Sequence, residues 1–288
     1  MKELTEKELL ENYKKFVSII ENNFSGERKE CLLKLVNHFE ERLILSPASY
    51  KEHYHNSYIG GYLEHVLNVY HIALDLFEIW KKYSVNIDYT LEELTLVTLF
   101  HDLGKLGDIN EEFYLPQDNE WRRQNMGEIY KINPKVVNMN GADRSLYLLQ
   151  HFGVKLTQNE WITIKIHEGM YEEANGYYLK VTSDSSVIKS HLPHLMHHAD
   201  MMATRTEYEK WKKSNDVETG SIEKKESKQK YNKKSDLKNV LSNKEINPLD
   251  NFYKNEDEKN KSDYILDIDS LFEDFDNKNE DSNKKNEK

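Results

Sequence analysis

The stretch of sequence that decides the fold is TLFHDLGKLGD, residues 98–108, where an apolar helix is predicted to end with His101 and Asp102 side by side. Adjacent helical residues point about 100° apart, so a buried helix rarely presents two neighbouring polar side chains to one point. Imidazole beside carboxylate is a mixed nitrogen and oxygen ligand pair for a divalent metal. Gly104 is expected to stop the helix. The stretch is therefore a candidate metal site at the end of a buried helix, but a lone His-Asp pair does not establish one without support from the rest of the sequence.

A second candidate ligand, His65, lies on a long helix predicted over residues 62–83. Apolar residues recur there at spacings of three and four, namely Leu63, Val66, Leu67, Tyr70, Ala73, Leu74, Phe77 and Trp80. His65 shares the side of Val69 and Ala73 rather than the charged face. A histidine in this position is either a core residue with a polar partner or a metal ligand, and the His-Asp pair on the next helix favours a ligand.

A third candidate, Asp200, falls in the middle of the last predicted helix, residues 192–213. Its neighbours on that helix are apolar: Leu195, Met196, Ala199, Met202 and Ala203. A carboxylate in such surroundings is costly unless it is paired or bound to a metal. Pro193 fits the first turn of this helix, where proline is tolerated.

Three motifs in a fixed order carry a resemblance to a known family: GGYLEH at 60–65, HDLGK at 101–105 and HLMHHAD at 194–200. Together they resemble the HD-domain phosphohydrolase superfamily, over roughly residues 46–212. The resemblance implies an all-α helical bundle in which His65, His101, Asp102 and Asp200 hold a divalent ion, whether Mn, Fe, Co, Ni, Zn or Mg. The stretch HEGMYEEAN, residues 167–175, is similar to HD proteins of tailed phages and some bacteria.

The resemblance also implies roles for residues around the metal. Lys105 is expected to contact a phosphate, although a cation favoured at a helix C-terminus would look the same. His55 is expected beside the substrate at the mouth of the site, or else on a surface loop. His167 resembles a position next to the substrate and could act as a general acid or a phosphate ligand, or simply favour a helix end. Asn175 belongs to a loop expected to meet the base or sugar.

One segment departs from the family pattern. Many HD relatives carry a histidine-containing motif that supports a second metal or the phosphate, but this chain has NGADR at residues 140–144. Arg144 could replace that histidine as a phosphate clamp, because a guanidinium offers a bidentate fork. Whether the centre holds one metal or two stays open.

The remaining domain is predicted from local signals. Residues 1–45 are expected to form helices over 5–20 and 27–43 that cover one side of a core domain spanning 46–213. Capping boxes are predicted at Thr5 and Glu8, Thr90 and Glu93, and Thr157 and Glu160. The polar stretch 108–137 is expected to be irregular and is a candidate for a substrate-gripping lid.

Composition bounds the class of protein. The 288 residues have a net charge of −11, which disfavours nucleic-acid binding through a basic surface. The mean hydropathy is −0.84. One cysteine excludes intramolecular disulfides and multi-cysteine zinc sites. With no apolar run of about 20 residues and no signal peptide, the chain is expected in the cytoplasm, the host's if it is phage-encoded.

The C-terminal segment, residues 214–288, is predicted to be disordered, because it is dominated by Lys, Glu, Asn, Ser and Asp and lacks apolar periodicity. Within it, residues 264–275 alternate acidic and bulky apolar side chains, as short docking motifs for a protein partner do. An incidental apolar patch is the alternative.

Taken together, these features predict a metal-dependent phosphohydrolase that uses metal-activated water on a phosphate ester or anhydride of a nucleotide. No Walker loop is present, so nucleotide-driven motion is not expected. One alternative is a phosphodiesterase or 3′–5′ exonuclease, since GGYLEH also resembles exoribonuclease HD domains. The other is a non-catalytic adaptor that senses a nucleotide and recruits a partner through its tail. The oligomeric state stays open.

Overall fold

The computed structural model describes residues 3–83 and 86–218, and it is mostly helical, which confirms the predicted all-α fold. The elements are α1 (Glu6–Asn23), α2 (Gly26–His38), α3 (Glu40–Leu45), α4 (Gly61–Tyr83), α5 (Leu91–Phe100), β1 (Tyr114–Pro116), α6 (Glu120–Met126), β2 (Tyr130–Ile132), α7 (Gly141–His151), α8 (Gln158–Ile166), α9 (Gly176–Leu179) and α10 (Leu192–Glu218).

Helix α5 lies at the centre of the bundle. Its residues 93–100 are all buried, and α1, α4, α8 and α10 pack around it. A helix that is covered on every side has no polar face to keep, which explains why five of these eight residues are apolar and why the others, Glu93, Thr95 and Thr98, are buried as well. The point where α5 ends is therefore deep inside the protein, so any polar side chain there must find a partner.

The N-terminal helices pack on α4 and α5. Helices α1 and α3 contact α4, and the rings of Phe16 and Phe100 meet edge to face with centroids 5.7 Å apart. The helix predicted over 27–43 is wrong in one respect, because it is divided at Phe39 into α2 and α3. The buried ring of Phe39 packs against His38 and Phe152, and its backbone leaves the helical conformation there.

The stretch 108–137, predicted to be irregular, contains a small antiparallel hairpin. Strands β1 and β2 pair Tyr114 with Ile132 and Pro116 with Tyr130, and helix α6 lies in the connection between them. Each strand has three residues, which is too short for an alternating pattern to be legible in the sequence.

All three predicted capping boxes are formed. In the third, the Thr157 amide donates to Glu160 Oε2 at 2.8 Å, and the Glu160 amide donates to Thr157 Oγ1 at 3.2 Å. The other carboxylate oxygen of Glu160 accepts from Arg28 at 2.5 Å, and the Glu160 side chain is fully buried. This capping residue therefore also ties α8 to α2.

Helix α10 is described to Glu218, a few residues beyond the end predicted at about Lys213. The rest of the predicted disordered tail and its docking motif at 264–275 lie outside the described residues. Among the helices that are described, none combines the length and apolar character needed to cross a membrane.

Replacing Arg28 with methionine should lower the free energy of unfolding by about 2–4 kcal/mol, because the buried Glu160 carboxylate would lose its cationic partner. Urea denaturation at pH 7 measures this. The control is Lys155→Met, which breaks the exposed Lys155–Glu27 pair and should cost less than about 1 kcal/mol. Equal losses in the two variants would contradict the role given to Glu160.

Candidate metal centre

The His-Asp pair sits in a tight turn. Helix α5 ends at Phe100, His101 and Asp102 follow, and the chain continues as a 3₁₀ turn over Leu103–Leu106. Gly104 was expected to stop the helix, but it lies inside this turn. A Cβ on Gly104 would come within 2.2 Å of the Gly141 carbonyl oxygen, so its role is to let the turn approach α7 closely.

A buried serine on α7 holds this turn in place. Ser145 Oγ accepts the Gly104 amide at 2.8 Å and donates to the carbonyl oxygen of His101 at 2.8 Å. The turn between the helices is thus hydrogen-bonded on both sides of Asp102. Sequence reasoning missed Ser145, because a serine in the first turns of a helix carries no distinguishing signal.

Three helices bring the predicted ligands together. His65 on α4 places Nε2 at 3.3 Å from Asp200 Oδ1 of α10 and at 3.6 Å from Asp102 Oδ2. His101 Nε2 lies 3.5 Å from the same Asp102 oxygen. Both histidine rings are fully buried. The four residues that were predicted to hold a metal therefore converge on one point.

Backbone carbonyl oxygens fix the orientation of two of the histidine rings. His101 Nδ1 lies 3.0 Å from the Thr98 carbonyl oxygen, and His167 Nδ1 lies 2.8 Å from that of Ile164. A carbonyl oxygen only accepts, so Nδ1 carries the hydrogen and Nε2 presents its lone pair to the centre. The buried Nε2 atoms of His65 and His101 have no hydrogen-bond partner among the described residues. Such orphaned nitrogens fit a metal.

The residues that could hold a metal ion form two overlapping groups, within each of which the ligand atoms lie within 4.8 Å of one another: His65, His101 and Asp102, and His101, His167 and Asp200. Imidazole nitrogen with carboxylate oxygen suits divalent ions such as zinc, iron, nickel and manganese. His167, predicted as a catalytic or substrate-contacting residue, is thus also a member of one of these groups.

The cluster keeps its carboxylates ionised. Burial raises the pKa of Asp102, but the charge of Lys105 and the contacts with His101 and His167 outweigh it and hold the pKa well below the usual range. The pKa of Asp200 is also lowered, because nearby His65 and His101 outweigh its burial. Burial lowers the pKa of His65, yet Glu207 and Asp200 raise it to about 10. Metal ligands must be deprotonated, so an ion entering the centre would displace a proton from His65.

Lys105 is bound to one of the predicted ligands. Its Nζ lies 2.6 Å from Asp102 Oδ2, and its side chain is 21% exposed. The position is thus more than a favourable place for a cation at a helix end, since the ammonium group sits against the metal centre itself. Burial lowers the pKa of Lys105, but the Asp102 carboxylate outweighs this effect and raises the pKa above its usual value, so the amine stays charged.

A cavity of about 470 Å³ opens above the cluster, lined by His53, Tyr54, His55, Asp102, Lys105, His167, Glu168, Tyr171, His197, Asp200, Met201, Thr204, Arg205 and Tyr208. His55 reaches it as predicted from the resemblance, with its ring centroid 4.7 Å from that of His65 and its Nε2 buried without a partner among the described residues. Arg205 was not predicted here, and its guanidinium forms no hydrogen bond or ion pair within the described part of the chain.

Two predicted substrate contacts lie elsewhere. Arg144 donates to the carbonyl oxygens of Gly104, Val137 and Met139, at 3.1, 2.9 and 3.1 Å. Its guanidinium also covers the ring of Phe113, so it ties the turn after Asp102 to the loop before α7 and is not among the residues that line the cavity. Asn175 is buried and donates to the carbonyl oxygen of Gly169 at 2.9 Å, which places it inside its own loop.

No protein-family model, curated protein or solved structure matches this chain. The geometry of the cluster and the motifs that carry the family resemblance are therefore the basis for proposing a function.

His101→Gln should reduce Zn²⁺ binding by at least about 100-fold, because His101 belongs to both ligand groups. In the wild-type protein, metal at 100 times its Kd should stabilise the fold by about 2.7 kcal/mol, and this gain should vanish in the variant. Thermal unfolding with and without Zn²⁺ measures it. His151→Gln, an exposed histidine at the end of α7, is the control, and equal stabilisation of both variants would exclude His101 as a ligand.

Proposed function

We propose that this chain is a metal-dependent phosphohydrolase that cleaves a phosphate ester or anhydride of a nucleotide. The observation that carries the proposal is the buried His-Asp cluster, with its unpartnered imidazole nitrogens, at the floor of a cavity lined by Lys105 and Arg205. Cations beside a metal centre suit an anionic substrate. The resemblance to HD-domain phosphohydrolases, on the three ordered motifs, supports the same reading.

In this proposal His65, His101, Asp102 and Asp200 hold the ion. A divalent ion there would act as a Lewis acid that polarises a phosphoryl group and makes a water molecule more acidic. The ligands come from α4, from the end of α5 and from α10. Because their rings and carboxylates are oriented by fixed partners, little reorganisation would accompany substrate binding.

Lys105 and Arg205 would bind the phosphate oxygens. Lys105 already touches Asp102, so its ammonium lies at the edge of the cluster, where a phosphoryl group would approach. Arg205 lies on α10, beyond Asp200, and lines the same cavity. A free guanidinium provides a bidentate fork for a phosphate, which is the role once expected of Arg144.

His167 would act as the general acid. Its Nδ1 is held by the Ile164 carbonyl, and its Nε2 lies 3.6 Å from Asp102 Oδ1 at the wall of the cavity. Burial lowers the pKa of His167, but the Asp102 carboxylate raises it above its usual value, so the doubly protonated ring would donate its Nε2 proton to the leaving oxygen of the substrate. His55, whose ring lies against that of His65, would contact the substrate through its Nε2, which has no partner among the described residues.

The remaining lining favours a nucleotide over a simple phosphate. Tyr54, Tyr171 and Tyr208 line the cavity and offer aromatic faces and hydroxyl groups to a base or sugar. A volume of about 470 Å³ is within the range of small-molecule sites.

A substrate panel tests the proposal. Purified protein would be incubated with Mn²⁺, Co²⁺, Ni²⁺, Zn²⁺ or Mg²⁺ and with nucleoside mono-, di- and triphosphates, a cyclic nucleotide and a short oligonucleotide. Release of phosphate or pyrophosphate from the nucleotides is the expected result. Cleavage of the diesters alone would favour the phosphodiesterase alternative. Nucleotide binding without turnover under any metal would favour the adaptor.

Asp102→Ala should reduce hydrolysis to the background rate while the protein stays folded, because the ion loses a charged ligand. Initial rates at saturating metal, together with a circular dichroism melt, measure both effects. Asp118→Ala removes an exposed carboxylate in the loop before α6 and should retain full activity. Undiminished hydrolysis by Asp102→Ala would rule out the assigned centre.

Arg205→Met should raise KM roughly 10-fold, equivalent to about 1.4 kcal/mol, with a smaller change in kcat, because it removes a contact to the substrate phosphate. Lys210→Met, an exposed cation on the same helix, corrects for general charge effects. If both variants have the wild-type KM, the phosphate is held by other groups.

A further inference from the structure

Glu207 is a buried acid on α10 that no motif in the sequence points to. It lies two turns after Asp200 on the same helix, and its side chain is about 2% exposed. Both carboxylate oxygens have partners on α4: Oε2 lies 3.0 Å from His65 Nδ1, and Oε1 accepts from Asn68 Nδ2 at 2.8 Å. An ionised carboxylate is costly to bury, and the donors on His65 and Asn68 compensate for the burial of Glu207.

The contact decides which nitrogen of His65 faces the centre. A carboxylate accepts hydrogen bonds, so His65 Nδ1 carries a hydrogen that it donates to Glu207. The ring is thereby turned so that Nε2 points towards Asp200 and Asp102, at 3.3 and 3.6 Å. Nε2 is the nitrogen that is buried without a hydrogen-bond partner among the described residues.

His65 differs in this respect from the other two histidines of the cluster. His101 and His167 are held by carbonyl oxygens three residues earlier in their own helices. Those contacts depend on the local backbone alone. The orientation of His65 depends instead on a side chain contributed by another helix.

The net charge of the cluster also suits a divalent cation. Asp102, Asp200 and Glu207 bring three carboxylates to one buried region, and Lys105 supplies one positive charge. With the imidazoles neutral, as metal ligands must be, these four groups carry a net charge of −2, which one divalent cation would neutralise. A buried group of this kind is stable only when its charges are matched.

We propose that Glu207 is a positioning residue that fixes the His65 ring with Nδ1 protonated and Nε2 available, and so raises the affinity of the centre for a divalent ion. Acidic partners of metal-bound histidines strengthen the ligand and fix its tautomer. The inference rests on the metal binding of the proposed function, but it does not require hydrolysis of any substrate.

The first test is metal affinity. Glu207→Gln keeps the size of the side chain and removes its charge, and Asn68 can rotate its amide to match. Zn²⁺ competition against a chromophoric chelator should show binding weakened about 10- to 100-fold, with the folded state retained by circular dichroism. Glu209→Gln removes an exposed acid two residues further along α10 and should bind Zn²⁺ as the wild type does.

The second test needs no variant. In the Zn²⁺-loaded wild-type protein, ¹⁵N NMR of the His65 imidazole should show Nδ1 protonated and Nε2 bound to the metal.

A role for Glu207 in fold stability alone would lower the melting temperature of Glu207→Gln without changing Zn²⁺ affinity.

The outcomes separate this inference from the proposed function. Wild-type affinity in Glu207→Gln, or metal on His65 Nδ1, would overturn the role of Glu207 and leave the metal centre standing. A wild-type protein that binds no divalent ion would overturn both. Weak binding in the variant, with His65 Nδ1 protonated in the wild type, supports the proposal.

Discussion

Burial of ionised carboxylates among histidines is the constraint on which the rest of this structure depends. Each such charge costs several kcal/mol to remove from water unless partners compensate for it, and here the partners come from separate helices. Asp102 lies at the end of the central helix, Asp200 and Glu207 lie on α10, and His65 lies on α4. The charges are satisfied only when these three helices pack together, so the bundle and the polar centre require one another.

Local patterns in the sequence predicted a large part of this arrangement. The capping boxes depend on residues three apart, and all three were formed as expected. The predicted ligands were also identifiable, because a polar residue on an apolar helix face needs a reason to be there. His65, His101, Asp102 and Asp200 each met that condition, and the structure brings them together.

The features that sequence reasoning missed depend on packing between distant elements. Ser145, Arg205 and Glu207 look like ordinary surface residues of helices, and only the fold shows that Ser145 and Glu207 are buried. Arg144 shows the reverse error, since its guanidinium reads as a phosphate clamp but its donors go to three backbone carbonyls. The break at Phe39 and the three-residue strands likewise follow from tertiary contacts, to which periodicity in the sequence is insensitive.

The contact between His65 and Glu207 spans 142 residues of the chain, and this has a consequence for biosynthesis. A growing polypeptide that has emerged only as far as α8 contains the His-Asp turn and His65, but it lacks Asp200 and Glu207, which lie on α10. Closing so long a loop is slow relative to forming local helices. The cluster is therefore completed late, after α10 has been made and has docked.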